Sequence, residues 1–290
     1  MNVIDMGYVK AYIPGKKFPD ISITGTSCPL NCAYCEAYYL HSMELATTPK
    51  KLYDTVKYLI KRGAKGVLIS GGFDLQGKLP VEPFLSTIKD VKRDFDIIIS
   101  VHQGLVSKDL AIKLREAGVD IVDYEMILDP FVIRNIKNLK NKDPEDYIKS
   151  FELLDKYGPP YIAPHIPLGL NYGKIVYEYK VIDVLMDFNP YILVFLIFIP
   201  TSGTKMENSP IPEAKDVVKI ISYGRRKFNG ILALGCMRPW KTKYLMDPYL
   251  IEKQLVDRIT NPPKSIIKKY SLEVVEACCS VPKELLYKFI

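Results

Sequence analysis

Apolar residues along this chain form short continuous runs, separated by longer stretches in which they recur every three or four positions. The short runs are rich in Ile, Val and Leu and predict strands buried on both faces, as in a parallel sheet. The longer stretches predict amphipathic helices. Strands are predicted at 21–25, 66–70, 96–101, 120–126, 161–166, 191–199 and 230–235.

Helices are predicted between these strands, so that the two kinds of element alternate. They cover 49–62, 81–92, 107–117, 173–187 and 212–227, with helices also filling 130–157 and one following the first loop. Six or more such units in about 270 residues predict an α/β fold, a (β/α) barrel, full or partial, with short N- and C-terminal extensions. No internal linker is evident, which predicts a single domain over 1–290, with its core at about 19–235 and a C-terminal segment at 236–290.

Composition and charge narrow the class of protein. The chain is 48% hydrophobic and 25% charged, which is typical of a globular protein. Its first residues lack the pattern of a signal peptide, and its longest apolar run, 191–199, is too short to cross a bilayer. We therefore expect a soluble, cytoplasmic protein with reduced thiols. The net charge of +7 is spread over many lysines without a nucleic-acid motif, so it indicates an acidic partner or a solvated surface.

The most informative residues are three cysteines in the loop after the first predicted strand. Cys28, Cys32 and Cys35 follow the spacing C-x3-C-x2-C, with Tyr34 just before the last cysteine. Three thiolates so close together favour an iron–sulfur cluster. Three ligands for a four-iron cube leave one iron without a protein ligand, and such an open position is where chemistry takes place.

Two other interpretations of this triad are weaker. Zinc requires a fourth Cys or His at ligand spacing, and the nearest candidate, His41, lies six residues beyond Cys35. Disulfides are disfavoured because three cysteines cannot all pair and nothing marks the chain as secreted. The cysteine spacing resembles the signature of the radical S-adenosylmethionine (SAM) superfamily. That resemblance implies a [4Fe–4S] cluster whose fourth iron binds SAM, with Tyr34 beside the cofactor.

Polar residues at other strand ends are candidate SAM ligands, because the carboxyl ends of barrel strands carry the active site. Ser70, Gly71 and Gly72 match the glycine-pair position that contacts the SAM amino group in this superfamily, although Phe73 stands where many members carry Glu. Glu125 is a candidate for the ribose hydroxyls. Arg134 is a candidate for the SAM carboxylate. Weaker candidates are Ser100, His102, Gln103 and the segment beginning at His165.

Three further cysteines lie near the end of the chain and suggest a second metal site. Cys236 stands in a Gly-Cys-Met-Arg-Pro segment, and Cys278 and Cys279 precede Ser280. In an extended segment Cys278 and Ser280 would share a face while Cys279 pointed away, unless the backbone kinks there. These four residues are therefore candidate ligands of an auxiliary [4Fe–4S] cluster. The alternative is that the cysteines are buried apolar residues.

Several segments together extend the resemblance to the biotin-synthase-related radical SAM proteins of archaea, a group that includes the subunits of a two-component lipoyl synthase. This resemblance implies sulfur insertion into an octanoyl chain on a lysine of a lipoyl carrier protein, a second radical SAM subunit, and a reductant such as ferredoxin. The chain has no cysteine cluster before Cys28, unlike single-chain lipoyl synthases. The segments are 23–25, 70–72, 164–174, 199–204, 235–239 and 278–280.

The sequence leaves other functions open. The chain could act on a free small molecule as biotin synthase does, or perform a methylation or rearrangement. Outside enzymes, it could be an electron-transfer or scaffold protein that only holds a cluster. Reductive cleavage of SAM by the reconstituted protein would exclude the non-enzymatic functions.

Overall fold

A computed structural model describes residues 9–289 of the chain. Its eleven strands form one sheet in which each neighbouring pair runs parallel. The strands are β1 (Lys10–Tyr12), β2 (Asp20–Ser22), β3 (Glu44–Leu45), β4 (Gly66–Ser70), β5 (Ile98–His102), β6 (Ile121–Glu125), β7 (Tyr161–Leu168), β8 (Ile192–Ile197), β9 (Ile231–Leu234), β10 (Arg258–Thr260) and β11 (Val274–Val275).

The sheet is curled but open, in the order β11-β1-β10-β9-β8-β7-β6-β5-β4-β2-β3. The predicted α/β barrel is confirmed in its partial form, because within residues 9–289 the two outermost strands, β11 and β3, do not pair with each other. The helices are α1 (Pro49–Lys61), α2 (Leu85–Asp94), α3 (Lys108–Glu116), α4 (Pro144–Tyr157), α5 (Glu178–Met186), α6 (Ala214–Lys227), α7 (Trp240–Glu252) and α8 (Lys264–Tyr270).

Local signals in the sequence fix the starts of three helices, α1, α3 and α4. Thr48 caps α1 by accepting a hydrogen bond from the Lys51 N–H, and Ser107 caps α3 in the same way. Asp143 and Asp146 form a capping box at the start of α4. These contacts satisfy backbone N–H groups that have no partner inside a helix.

Two predicted helices are shorter in the structure. The helical prediction over 130–157 is interrupted: a short π-helical turn at Val132–Ile136 is followed by a loop, and α4 begins after the cap at Asp143. The helix predicted from Gly173 starts only at Glu178. Gly173 has φ +79°, and a Cβ there would stand 2.6 Å from the Pro210 carbonyl oxygen, so the chain turns instead of coiling.

The elements that the sequence did not predict are mostly short. The segment after the cysteine loop forms a 3₁₀ turn at Tyr38–Ser42 instead of a full helix. Strands β1, β3, β10 and β11 have only two or three residues each, too few for a periodic pattern. Helix α7 was missed because apolar residues occur all around it, which obscures the helical period.

The two faces of the sheet are covered differently. On the convex face, outward residues such as Tyr124 and Phe195 pack against the helices. On the concave face, inward residues such as Ile121 and Val194 pack against the C-terminal tail, residues 276–289. Ala277, Cys279 and Val281 of this tail are buried in that second cluster. The tail is therefore part of the core and fills the concavity that an open sheet leaves.

No helix described between residues 9 and 289 combines the length and the apolar character needed to span a membrane.

Replacement of Phe195 tests how strongly the helix layer depends on the central strand. Phe195 is fully buried on β8 and its ring lies against Gly224 of α6. We expect Phe195→Ala to lower the free energy of unfolding by about 3–5 kcal/mol, because the lost apolar contacts leave a cavity. Urea denaturation measures the change. Tyr58→Ala on the exposed face of α1 is the control and should change stability by about 0.5 kcal/mol or less.

Candidate functional site

The cysteine loop leaves the carboxyl end of β2 and is held on one side by the end of β4. The Thr24 hydroxyl accepts a hydrogen bond from the Gly72 N–H at 2.6 Å and donates one to the Ser27 carbonyl at 3.0 Å. The Phe73 N–H donates to the Cys28 sulfur at 3.3 Å. Such a donor stabilises a thiolate, and N–H bonds to cysteine sulfur are one means by which a protein tunes an iron–sulfur cluster.

The π-helical turn and the residue Asn138 after it hold the other side of the loop. The Ala33 N–H donates to the Ile136 carbonyl at 2.8 Å. The Asn138 side-chain amide donates to the Leu30 and Asn31 carbonyls at 3.1 and 2.6 Å. The loop is therefore fixed between β4 and the segment after β6, so its three cysteines have a defined setting.

The three thiols differ in exposure. Cys32 is buried, whereas Cys28 and Cys35 are partly exposed. A hydrogen bond from the Cys32 thiol lowers the pKa of Cys35, and that bond together with burial raises the pKa of Cys32. Between residues 9 and 289, no three His, Cys, Asp or Glu side chains surround one point as ligands of a single ion would. Thiolates of a four-iron cube bind different irons, so they need not converge in that way.

The close contact between the cysteine loop and the end of β4 requires glycine at position 72. A Cβ on Gly72 would lie 2.1 Å from the Ser27 carbonyl oxygen and 2.5 Å from the Cys28 Cα. No side chain fits in that space, so glycine allows the strand end to touch the cysteine loop. The sequence suggested that the pair approaches a ligand; the structure adds a close approach to the protein backbone.

A buried ion pair lies beside the cysteine loop. Glu125, at the end of β6, pairs with the ammonium of Lys137, whose side chain is 4% exposed. Burial alone would raise the pKa of Glu125, but the neighbouring Lys137 ammonium lowers it from 4.5 to about 2. Lys137 is also close enough to Cys32 to affect its pKa. Glu125 is thus ionised, and Lys137 brings a positive charge to the loop.

Two pockets meet at Glu125. The first has about 260 Å³ of empty space and is also lined by His102, Gln103 and Lys137. Gln103 is fully buried, and its Oε1 atom has no hydrogen-bond partner in the described structure. Burial lowers the pKa of His102, which favours the neutral imidazole. An unpaired acceptor, an imidazole and an ammonium suit a ligand with both donor and acceptor groups, as an amino acid has.

The second pocket is more apolar and has about 370 Å³ of empty space. Tyr34 and Tyr39 line it from the cysteine loop, and Leu170, Phe198 and Ile199 line it from the loops after β7 and β8. Aromatic and aliphatic walls around one carboxylate suit a nucleoside, with the base between apolar groups and the ribose at Glu125. The residues present therefore fit SAM across the two pockets.

Other sequence candidates lie nearby in different settings. Ser70 is buried, with its hydroxyl 3.4 Å from the His102 ring nitrogen. Ser100 donates to the Asp123 carboxylate at 2.7 Å. His165 lies on β7, with its Nδ1 2.9 Å from the Ala163 carbonyl oxygen. These side chains form a polar layer on the concave side of the sheet.

Arg134 is the candidate that the structure does not bring to the pockets. It is about half exposed and pairs with Asp143 at the surface. The physical reason is the π-helical turn, which directs Arg134 outward, while Lys137 after the turn points inward. Nothing in the sequence distinguishes Lys137 from the neighbouring surface lysines 140 and 142, and this residue was missed.

The C-terminal cysteines lie on the concave side. A turn closed by the Val281 N–H and the Cys278 carbonyl brings the Cys278 sulfur to 3.1 Å from the Ser280 hydroxyl. The Cys279 thiol is buried, and its interaction with Cys278 together with burial raises the pKa of Cys279. The segment therefore turns between Cys278 and Val281, with the Cys278 sulfur beside the Ser280 hydroxyl.

Cys236 follows β9 and is near enough to Cys278 for their charges to interact. Cys236 is exposed, yet desolvation by the surrounding protein, with the nearby Cys278, raises its pKa to about 11. Asp123, which sequence reasoning missed as a site residue, contributes a negative charge nearby and has one carboxylate oxygen without a partner. A polar residue within the apolar run of β6 was the signal that could have identified it.

Residues 22–177 match the family model of the radical SAM superfamily, and the chain therefore belongs to that superfamily. Membership implies a [4Fe–4S] cluster and SAM as cofactors.

Relatives within the superfamily have different activities. The chain is 35% identical over 122 residues to a "Probable GTP 3',8-cyclase" of Methanococcus aeolicus, covering 40% of this chain and 39% of that protein. It is 22% identical over 216 residues to a biotin synthase of Carboxydothermus hydrogenoformans, covering 71% and 64%. The match spans less than two-thirds of either relative. The crystal structure of methylornithine synthase shares the fold, with a TM-score of 0.60, 17% identity and coverage of 89% and 74%.

Replacement of Gly72 tests the contact between β4 and the cysteine loop. We expect Gly72→Ala to reduce the iron and sulfide content of the reconstituted protein severely, because the methyl group overlaps the Ser27 carbonyl and displaces Cys28. The matched control is Gly203→Ala, where a Cβ meets nothing within 4 Å but φ is +80°. That control should cost about 1–2 kcal/mol of stability and keep its iron. Wild-type iron content in Gly72→Ala would contradict this account.

The Glu125–Lys137 pair is tested by removing one charge and then both. We expect Lys137→Met to lower the free energy of unfolding by about 3–5 kcal/mol, because Glu125 then stays buried without a partner. Adding Glu125→Gln to this variant should restore much of the lost stability.

The same pair predicts a pH dependence of stability. Since the folded protein lowers the pKa of Glu125, the stabilisation by the ionised carboxylate is present above pH 4.5 and is lost as the pH falls toward 2. Urea denaturation of wild type and Glu125→Gln across this range should show their difference shrinking. A constant difference would contradict the assignment.

Proposed function

We propose that this protein is a sulfur-inserting radical SAM enzyme, one subunit of a two-component lipoyl synthase. It would act on the octanoyl chain of an octanoyl-lysyl lipoyl carrier protein. The observation that carries the proposal is the second group of cysteines: Cys236, Cys278 and Cys279 lie with Ser280 on the concave side of the sheet that carries the first triad.

The first triad would hold the SAM-binding cluster. Cys28, Cys32 and Cys35 are the three ligands, and the Phe73 N–H supports the Cys28 thiolate. When bound, the cluster supplies an iron with an open position for SAM and the electron that cleaves SAM into methionine and a 5′-deoxyadenosyl radical. The loop contacts from β4 and from the segment after β6 keep these ligands in register with the pockets.

The pockets would orient SAM. Glu125 accepts hydrogen bonds from the ribose hydroxyls, and Tyr34 borders the apolar pocket for the base. Lys137 takes the role first given to Arg134 and pairs with the SAM carboxylate, for which its inward position is suited. Ser70, Gly71 and Gly72 border the amino group of SAM through their backbone.

The second group would hold an auxiliary cluster that supplies sulfur. Cys236, Cys278, Cys279 and Ser280 are the proposed ligands, and a serine oxygen can complete such a set. Arg258 supports this assignment, because its guanidinium is 3% exposed and donates to the Cys279 and Val281 carbonyls at 2.5 and 2.6 Å. Among the described residues it has no carboxylate within 4 Å. A buried cation without an anion is costly, and a thiolate-bound cluster would supply the opposite charge.

The substrate and partners rest on the resemblance to archaeal biotin-synthase-related proteins. A carrier protein with an acidic surface would suit the net charge of +7. A second radical SAM subunit and a reductant such as ferredoxin complete the system, in a cytoplasmic setting where thiols stay reduced. The second candidate function is sulfur insertion into a free small molecule, which the match to biotin synthase favours.

Replacement of cysteines separates the two proposed clusters. We expect Cys236→Ala and Cys278→Ala to keep cleavage of SAM to 5′-deoxyadenosine while losing the thiolated product by 100-fold or more (about 3 kcal/mol). Mass spectrometry of the carrier measures the product, and iron content should fall from about eight to about four per chain. Cys35→Ala is the contrasting variant and should abolish SAM cleavage. Full product yield from both Cys236→Ala and Cys278→Ala would contradict an auxiliary cluster.

A further inference from the structure

Three consecutive loops at the carboxyl edge of the sheet expose apolar side chains beside the pockets. Phe131 follows β6, Tyr172 follows β7 and Ile211 follows β8, with exposed fractions of 43%, 43% and 38%. Two exposed lysines, Lys174 and Lys205, stand in the same loops. We call these five residues the rim patch. Single exposed apolar residues are ordinary on a protein surface, whereas a connected group of them indicates a binding surface.

The rim patch is continuous across its loops. The rings of Phe131 and Tyr172 lie 6.2 Å apart. Beside Tyr172, Gly173 packs so closely on the segment before Ile211 that a Cβ would stand 2.6 Å from the Pro210 carbonyl oxygen. β6, β7 and β8 are neighbours in the sheet, so the three loops are adjacent. The apolar groups therefore form one surface.

Hydrogen bonds fix these loops before any partner arrives. The Asn171 amide donates to the Asp129 carboxylate at 2.9 Å, which ties the loop after β7 to the loop after β6. Asp129 also accepts from the Phe131 N–H at 2.8 Å. A preformed surface loses less conformational entropy on binding. The same loops contribute Leu170 and Phe198 to the apolar pocket, so a partner on the rim patch would stand at the pocket entrance.

The charge of the rim patch is positive. Within residues 9–289, neither the Lys174 ammonium nor the Lys205 ammonium has a carboxylate within 4 Å. The acidic groups close by accept local backbone hydrogen bonds. Glu178 accepts from the Gly169 and Val176 N–H groups, Glu207 accepts from the Gly203 N–H, and Glu36 accepts from the Lys205 backbone N–H at 3.2 Å. Unpaired lysines around apolar side chains favour a protein with an acidic surface. A nucleic acid would require a wider basic stripe.

We propose that the rim patch is the docking surface for the folded carrier protein, which presents acidic residues to Lys174 and Lys205 and an apolar contact to Phe131, Tyr172 and Ile211. Its acylated lysine arm then reaches the pockets from the docked position. This inference rests on the proposed function, since that function supplies a carrier as substrate. It adds which face of the enzyme recognises the carrier's folded body.

The test compares a purified octanoylated lipoyl carrier domain with a short octanoyl-lysyl peptide. Two variants remove the apolar or the basic part of the rim patch: Phe131→Ser with Ile211→Ser, and Lys174→Glu with Lys205→Glu. We expect each to weaken carrier-domain binding, measured by calorimetry, by about tenfold or more. Turnover of the peptide, measured with the second subunit present, should stay near wild type. The matched control is Lys57→Glu with Tyr58→Ser on α1, an exposed pair away from the rim that should bind as wild type does.

The outcomes separate docking from catalysis. Wild-type affinity for the carrier domain in both rim variants would overturn the docking proposal and leave the reaction untouched. Loss of second-subunit binding with carrier binding intact would also overturn it, because the surface would then belong to the subunit. If the wild-type protein binds the carrier domain through the rim patch but converts neither substrate, docking stands and the proposed reaction falls.

Discussion

The parallel direction of all eleven strands is the constraint on which the rest of the structure depends. Parallel strands must be joined by crossovers, which here place the main helices on the convex face. Every carboxyl end then lies at one edge, where the cysteine loop, the glycine pair and Glu125 come together. Because the sheet stays open, its concave face needs another cover, and the C-terminal tail supplies it. The tail thereby brings Cys278 and Ser280 to the concave side of the sheet.

The candidate site combines rigid contacts with unsatisfied polar groups. The cysteine loop is held by Gly72 on one side and by Asn138 on the other, so its geometry does not depend on the loop sequence alone. Beside it, Lys137 and Glu125 stay charged in a buried setting because each offsets the other. Gln103 and Asp123 each retain a hydrogen-bond acceptor that the described protein does not use. Buried groups of this kind are costly in a purely structural role, which is why they mark the concave side as the place for ligands.

Much of the fold and part of the candidate site were predictable from the sequence, and the wrong predictions have physical causes. Thr48 and Ser107 cap α1 and α3, and the apolar runs between 66 and 234 form buried strands, so those predictions are confirmed. The helices predicted over 130–157 and 173–187 are shorter in the structure. Arg134 and Lys137 show what a local sequence pattern cannot predict. They are three positions apart in a basic stretch, and only the π-helical turn decides which one points outward to Asp143 and which inward to Glu125. No local pattern encodes that choice, because it depends on how the turn packs against the cysteine loop.

The sequence by itself determined the alternation of the central strands and helices, the spacing of the cysteine triad, and the superfamily that this spacing resembles. These are local properties, set by period, capping residues and spacing. Only the tertiary structure decided that the sheet stays open and that Gly72 contacts the backbone of the cysteine loop. It also decided that Lys137, and not Arg134, lines the first pocket, and that the turn in the tail brings Cys278 near Cys236. Each of these joins residues distant in the chain, and their meeting is fixed by packing and buried charge, which a linear pattern does not record.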